Sequence, residues 1–120
     1  MRVELVKEYR FEAAHKLPNV PAGHKCQRLH GHSFKFEIHV VGPVDGHSGW
    51  FIDYGDLDDV INPLVAQLDH YYLNEIAGLE NPTSEVMSKW LFDRIKARIP
   101  SLTALTFHET CDARCIYRGE

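Results

Sequence analysis

RVELVKEYRFEAAH, residues 2–15, alternates along its length. Val3, Leu5, Tyr9, Phe11 and Ala13 fall on one parity, and Glu4, Glu8, Arg10 and Glu12 on the other; Val6 and Lys7 each break the pattern once. Successive residues of a strand point to opposite faces, so this stretch predicts a long half-buried strand. His15 carries the parity of the apolar set. The same period returns from about His32 to Val41, where Phe34, Phe36, Ile38 and Val40 alternate with Ser33, Lys35, Glu37 and His39. His30 and His32 share the parity of the phenylalanines if the pleat extends back to them.

Residues 16–29, KLPNVPAGHKCQRL, hold two prolines, a glycine and an asparagine and read as a loop. GPVDGHSG then turns the chain towards the apolar run Trp50–Ile52. Asp53 suits a helix N-cap. Leu57, Val60, Ile61, Leu64, Val65 and Leu68 follow at helical spacing, and Pro63 within them predicts a kink or a break. Asn81 and Pro82 suit the cap and first turn of a second helix, marked by Val86, Met87, Trp90, Leu91 and Ile95 and ending before Pro100. Residues 102–109 and 113–118 read as two closing strands. The order ββααββ predicts a single α+β domain spanning 1–120, a four-stranded antiparallel sheet with two helices on one face. Such a sheet has two edges to protect, which edge-to-edge oligomerisation would do.

The chain has 120 residues, 44% of them hydrophobic, and a formal net charge of −4. That balance suits a folded globular protein and supplies no basic field for nucleic acid or a membrane surface. The N-terminal MRVELVKEYRF has no apolar signal core, and no apolar run approaches membrane-spanning length. Cysteines number three, Cys26, Cys111 and Cys115, an odd count that argues against a disulfide framework. A soluble cytoplasmic protein is expected.

Eight histidines are the unusual figure. On a strand, His30 and His32 can aim two imidazoles at one point. Gly31 between them adds no bulk and permits a bend. If the first two strands are neighbours, His15 joins them. Three imidazoles without a fourth protein ligand describe a catalytic Zn2+ with an open position, although copper, iron and nickel also accept imidazole. Taken singly, a histidine at a strand end is more often merely hydrogen-bonded; the shared parity of three favours a metal site. His24 sits among turn residues, His39 has solvent parity and His47 lies in a turn, so none of these is chosen. Cys26 has three readings: a fourth ligand closing the site, a buried loop thiol, or a base or nucleophile acting as the thiolate that a metal or cation favours. Cys111 and Cys115 read as ordinary strand thiols.

FEAAHKL, CQRLHGHSF, GWFIDY, LDHYYLN, NPTSE, HET and IYRGE, in that order from Phe11 to the C-terminus, together resemble the 6-pyruvoyl-tetrahydropterin synthase family. They are most similar to its bacterial 6-carboxy-tetrahydropterin synthase branch, of queuosine (7-deazapurine) biosynthesis. The resemblance implies a tunnelling fold (T-fold) assembled as a homohexamer, with an active site shared between subunits. It implies zinc held by His15, His30 and His32, Cys26 as proton acceptor, and a relay of His70 and Glu109 with Asp69 orienting His70. Glu109 is also associated with holding the pterin's pyrimidine edge. The implied substrate is 7,8-dihydroneopterin triphosphate, whose side-chain diol would meet the zinc; acetaldehyde and triphosphate would leave, giving 6-carboxytetrahydropterin. Only Gln27, Arg28 and Leu29 separate Cys26 from His30, and the pyruvoyl enzymes generally have a longer spacer. The rivals are 6-pyruvoyl-tetrahydropterin synthase activity and a non-catalytic zinc-binding module closed by Cys26. Taken alone, His70 would pass as a helix cap and Glu109 as an edge charge, though an inward carboxylate needs a partner. Lys16, Lys25 and Arg28 flank the site, but solvated loop charges are the commoner case, and no role is read for them.

Overall fold

The computed structural model describes residues 1–120. The strands β1 (Arg2–His15), β2 (His30–Pro43), β3 (Leu102–His108) and β4 (Arg114–Tyr117) form one antiparallel sheet in the order β1-β2-β3-β4. Between β2 and β3 lie the helices α1 (Tyr54–Leu68) and α2 (Ser84–Lys96). The expected ββααββ order is therefore the observed one. Single 3-10 turns occupy Lys25–Gln27 and Leu73–Glu75.

Both helices cover the face to which the odd residues of β1 and the even residues of β2 point. Phe11 stacks on Phe34 with centroids 5.1 Å apart, and Phe34 meets Phe107 of β3 at 5.6 Å. Leu57, Ile61 and Leu68 of α1 and Met87, Leu91 and Ile95 of α2 close over this aromatic layer, all fully buried. Each such side chain contributes about 1.5–3 kcal/mol by leaving water.

Local chemistry explains the departures from the sequence reading. The alternation of β1 is not broken at Lys7, which takes the helix-side parity with its Nζ 3.2 Å from Asp58 of α1. Tyr9 donates its hydroxyl to the same carboxylate at 2.7 Å; burial, then Asp58, raises the phenol far above its usual range. The pleat of β2 does reach back to His30. Pro63 does not break α1, which runs on as one helix. The carbonyl it leaves unpaired belongs to Asp59, an exposed residue, so water can take the place of the missing donor. The cap of α2 is Thr83 rather than Asn81: Thr83 Oγ1 accepts the Val86 N–H at 3.1 Å, and Ser84 rather than Pro82 begins the helix. Glu109 lies one residue beyond β3. Cys115 is on β4, but Cys111 is exposed in the preceding turn and is not a strand thiol.

Near the end of β2, a Cβ built on Gly42 would overlap the ring of Phe51. Gly42→Ala should therefore cost about 1–3 kcal/mol, read as a lower denaturant midpoint. Adding Phe51→Ala should recover part of that cost through non-additivity; strictly additive losses would show that the two positions do not meet.

Candidate metal and pterin site

The hairpin register builds the site. His15 pairs directly with His30, and Ala13 with His32, so the last residue of β1 and the first and third of β2 meet on the helix-side face. The small Ala13 leaves His32 room to lean towards His15. The three rings sit edge to face, with centroids 4.6 Å (His15–His30), 5.0 Å (His15–His32) and 4.7 Å (His30–His32) apart. One nitrogen from each lies within 4.8 Å of the other two. Gly31 lies opposite Ala14 in regular strand, and a Cβ there would meet only the Ala13 carbonyl, at 3.8 Å. The bend that a glycine would permit there is not used.

Backbone carbonyls orient two of the rings. His15 Nδ1 faces the Pro82 carbonyl at 3.1 Å, and His30 Nδ1 faces the Arg28 carbonyl at 2.7 Å. As N–H donors on that side, both rings present Nε2 as the free lone pair, the usual arrangement around a ligated metal. Nε2 of His15 and of His32 are buried without a hydrogen-bond partner. An orphaned buried nitrogen is costly, and a metal ion is a partner that this donor set could hold. Burial depresses the pKa of His15 and of His32; the Pro82 carbonyl opposes it at His15, neighbouring imidazoles add to it at both, and Glu109 opposes it at both. The neutral, ligating form is thereby favoured. As pH falls through the ordinary imidazole range near 6.5, the unfolded chain takes up protons that the folded His15 and His32 resist, so stability declines.

A cavity of about 450 Å3 opens beside the cluster, with His30, His32, Cys26 and Glu109 in its wall. That volume suits a small molecule. The Cys26 thiol is not among the converging donors. His24 is occupied at the turn, its Nδ1 accepting the Cys26 N–H at 3.1 Å. Glu109 points inward as its parity predicts: Oε2 accepts the Ser84 hydroxyl at 2.7 Å, and Oε1 lies 3.8 Å from His32 Nε2.

His70 borders a second cavity, of about 480 Å3, which His32 also lines. Asp69 is the C-cap of α1. One of its oxygens accepts the Glu12 N–H at 2.8 Å and the other faces His70 Nδ1 at 2.8 Å. These bonds, the Glu12 N–H first, hold its carboxyl below the usual range. His70 has φ +63°, and its N–H bonds back to the Glu12 carbonyl. A non-glycine residue there is uncommon; the bonds of residues 69–71 to β1 hold it so, with Nε2 turned outward. His70 and Glu109, expected to form one relay, thus border different cavities of a single chain, with Cys26 on the side of Glu109.

Sequence reasoning missed Ser84, which fixes the Glu109 carboxylate, and the carbonyls of Pro82 and Arg28. Only NPTSE held a signal for the first two. A backbone acceptor leaves no residue signature.

A family model described as 6-pyruvoyl tetrahydropterin synthase matches residues 4–120. The chain is 40% identical over 119 residues to the 6-carboxy-5,6,7,8-tetrahydropterin synthase of Synechocystis sp., covering 94% of this chain and 91% of that one. It is 32% identical over 100 residues to the dihydroneopterin monophosphate aldolase of Pyrococcus furiosus, covering 83% and 81%. The solved structure of Caenorhabditis elegans 6-pyruvoyl tetrahydropterin synthase superposes with a TM-score of 0.92 at 24% identity, covering 100% of this chain and 97% of that one. At that identity the likeness carries the fold, the T-fold, alone. No helix is long and apolar enough to cross a membrane.

Proposed function

The chain belongs to the 6-pyruvoyl tetrahydropterin synthase family, and from that premise we propose that it is a zinc-dependent 6-carboxy-5,6,7,8-tetrahydropterin synthase. It converts 7,8-dihydroneopterin triphosphate and one water to 6-carboxytetrahydropterin, releasing acetaldehyde and triphosphate, and serves queuosine biosynthesis in the cytoplasm. The observation that carries this reading is the cluster of His15, His30 and His32, two of its nitrogens orphaned, opening on a cavity that also holds Cys26 and Glu109. The name of the Synechocystis relative and the short spacer before His30 favour the carboxy product.

In this reading the three histidines hold zinc, which when bound supplies Lewis-acid polarisation of a ligated oxygen. Cys26 takes a proton from the substrate side chain. His70, held by Asp69 in the tautomer that leaves Nε2 free, passes protons on the other face. Glu109, braced by Ser84, accepts two N–H groups from the pterin's pyrimidine edge. Because His70 borders a different cavity of one chain from Cys26 and Glu109, the site is completed between subunits of a homohexamer, and specific activity should fall on dilution as subunits separate.

Incubating the zinc-loaded protein with dihydroneopterin triphosphate and identifying the products tests the reading. Trapped acetaldehyde and the mass of 6-carboxytetrahydropterin are expected. A product that keeps all the side-chain carbons would move the assignment to the pyruvoyl activity. Zinc binding without any turnover would leave a non-catalytic module.

A further inference from the structure

We propose that Lys25 and Arg28 form a polyphosphate clamp on the wall of the metal cavity and select a triphosphorylated pterin over an unphosphorylated one. The inference rests on the pterin reading of that cavity and goes beyond it by assigning the residues that hold the phosphates.

Both residues line the same cavity as Cys26, His30, His32 and Glu109. They stand at the two ends of the 3-10 turn that carries Cys26: Lys25 opens it, and Arg28 caps it with its N–H on the Lys25 carbonyl at 3.2 Å. The turn is anchored on both sides. The Cys26 carbonyl accepts the Leu17 N–H at 2.7 Å, and the Gln27 side chain bonds the Val20 carbonyl and the Gly23 N–H. Two cations are thus held at a set spacing on ordered backbone.

Their charge is uncompensated. Lys7, Arg10, Lys35 and Lys89 each lie within 4 Å of a carboxylate. Arg94 stacks on Trp90, and Lys96 donates to the carbonyls of Pro100 and Leu102. Lys25 and Arg28 have no such partner, as Arg2, Lys16, Arg98, Arg114 and Arg118 have none, but Lys25 and Arg28 are the two of these that line the metal cavity. The sole carboxylate in the cavity wall, Glu109, bonds Ser84 and faces His32 and pairs with neither cation. A cavity with paired free cations on one wall suits a polyanion. An Arg fork can grip two phosphate oxygens at once, and a Lys adds a point charge.

The connection to the metal cluster is short. Arg28 offers its backbone carbonyl to His30 Nδ1 at 2.7 Å, so one residue orients a ligand ring and carries a cationic side chain into the same cavity. In the proposed substrate the diol and the first phosphate are separated by a single carbon. Phosphates must therefore lie close to whatever holds the diol, as Lys25 and Arg28 do.

The test uses zinc-loaded protein and two unreactive oxidised probes, neopterin triphosphate and neopterin, titrated calorimetrically. Unaltered protein should prefer the triphosphate. Each charge-assisted bond lost is worth about 10-fold or more, so Lys25→Gln with Arg28→Gln should weaken neopterin triphosphate by about 100-fold. Neopterin should move by less than about 3-fold, and zinc content should stay the same. Equal weakening of both probes, or no change in either, overturns the clamp. If the unaltered protein binds neither pterin, the pterin reading fails instead. Inorganic triphosphate then decides the clamp alone: tighter binding to the unaltered protein than to the double variant sustains it, and equal binding ends it.

Discussion

His32→Ala is expected to bind no zinc under conditions where the unaltered chain binds one ion, and to lose turnover entirely. With three imidazoles and no fourth protein donor, deleting one leaves two ligands. Loss of a group that merely orients a ligand costs about 10–100-fold in metal affinity, and loss of a ligand should exceed that range. The fold should survive, because the deleted ring carries a buried nitrogen that has no protein partner, and removing an unsatisfied polar atom relieves a cost as well as forfeiting contacts. Thermal denaturation separates the two effects. Zinc at 100 times its dissociation constant should stabilise the unaltered protein by about 2.7 kcal/mol and the variant by nothing. A variant that still bound one zinc per chain at undiminished affinity would dismantle the three-histidine centre.

Cys26→Ala should do the reverse, keeping zinc and fold while turnover drops by about 100- to 10,000-fold, the range for removal of a positioned proton-transfer group. The bonds that anchor the turn use the Cys26 N–H and carbonyl, the former to His24 and the latter to Leu17; the thiol takes no part in them. The sulfur also lies outside the converging donor set. Zinc content by mass spectrometry decides the matter. Loss of the ion from this variant would make Cys26 a fourth ligand and convert the site into a closed, structural one. In the metal-loaded protein the thiol should also react with an alkylating agent, whereas a coordinated thiolate would be shielded.

The sheet and the histidine cluster were legible because both rest on a period of two. Parity placed His15, His30 and His32 on the face of Phe11 and Phe34, and one register assumption brought them together. Residues whose role depends on a distant partner were less legible. Lys7 looked like a break in β1 because Asp58, which receives it, is far along the chain. Pro63 looked like a kink or a break because hydration of the Asp59 carbonyl is a property of the folded surface. Thr83 took the cap that Asn81 was expected to hold, which leaves the Pro82 carbonyl free for His15. Lys25 and Arg28 looked like loop charges until the cavity wall they share with His30 set them apart from the other unpaired cations.

The outer flank of β1 is not equally open along its length. Beyond Arg10 it is already taken: the Glu12 N–H goes to Asp69, the Glu12 carbonyl to His70, and the Ala14 N–H to the Tyr71 carbonyl, with Tyr72 bridging Ala14 in parallel. By the alternation of an antiparallel ladder, the outward amides still unclaimed are those of Arg2, Glu4, Val6, Glu8 and Arg10. A visiting strand can zip along these and must halt at residue 12, where the 69–72 segment acts as a doorstop. The length of any such join is thereby measured out in advance, and a sliding, open-ended stack of sheets is blocked at the very end of the strand where the histidines gather.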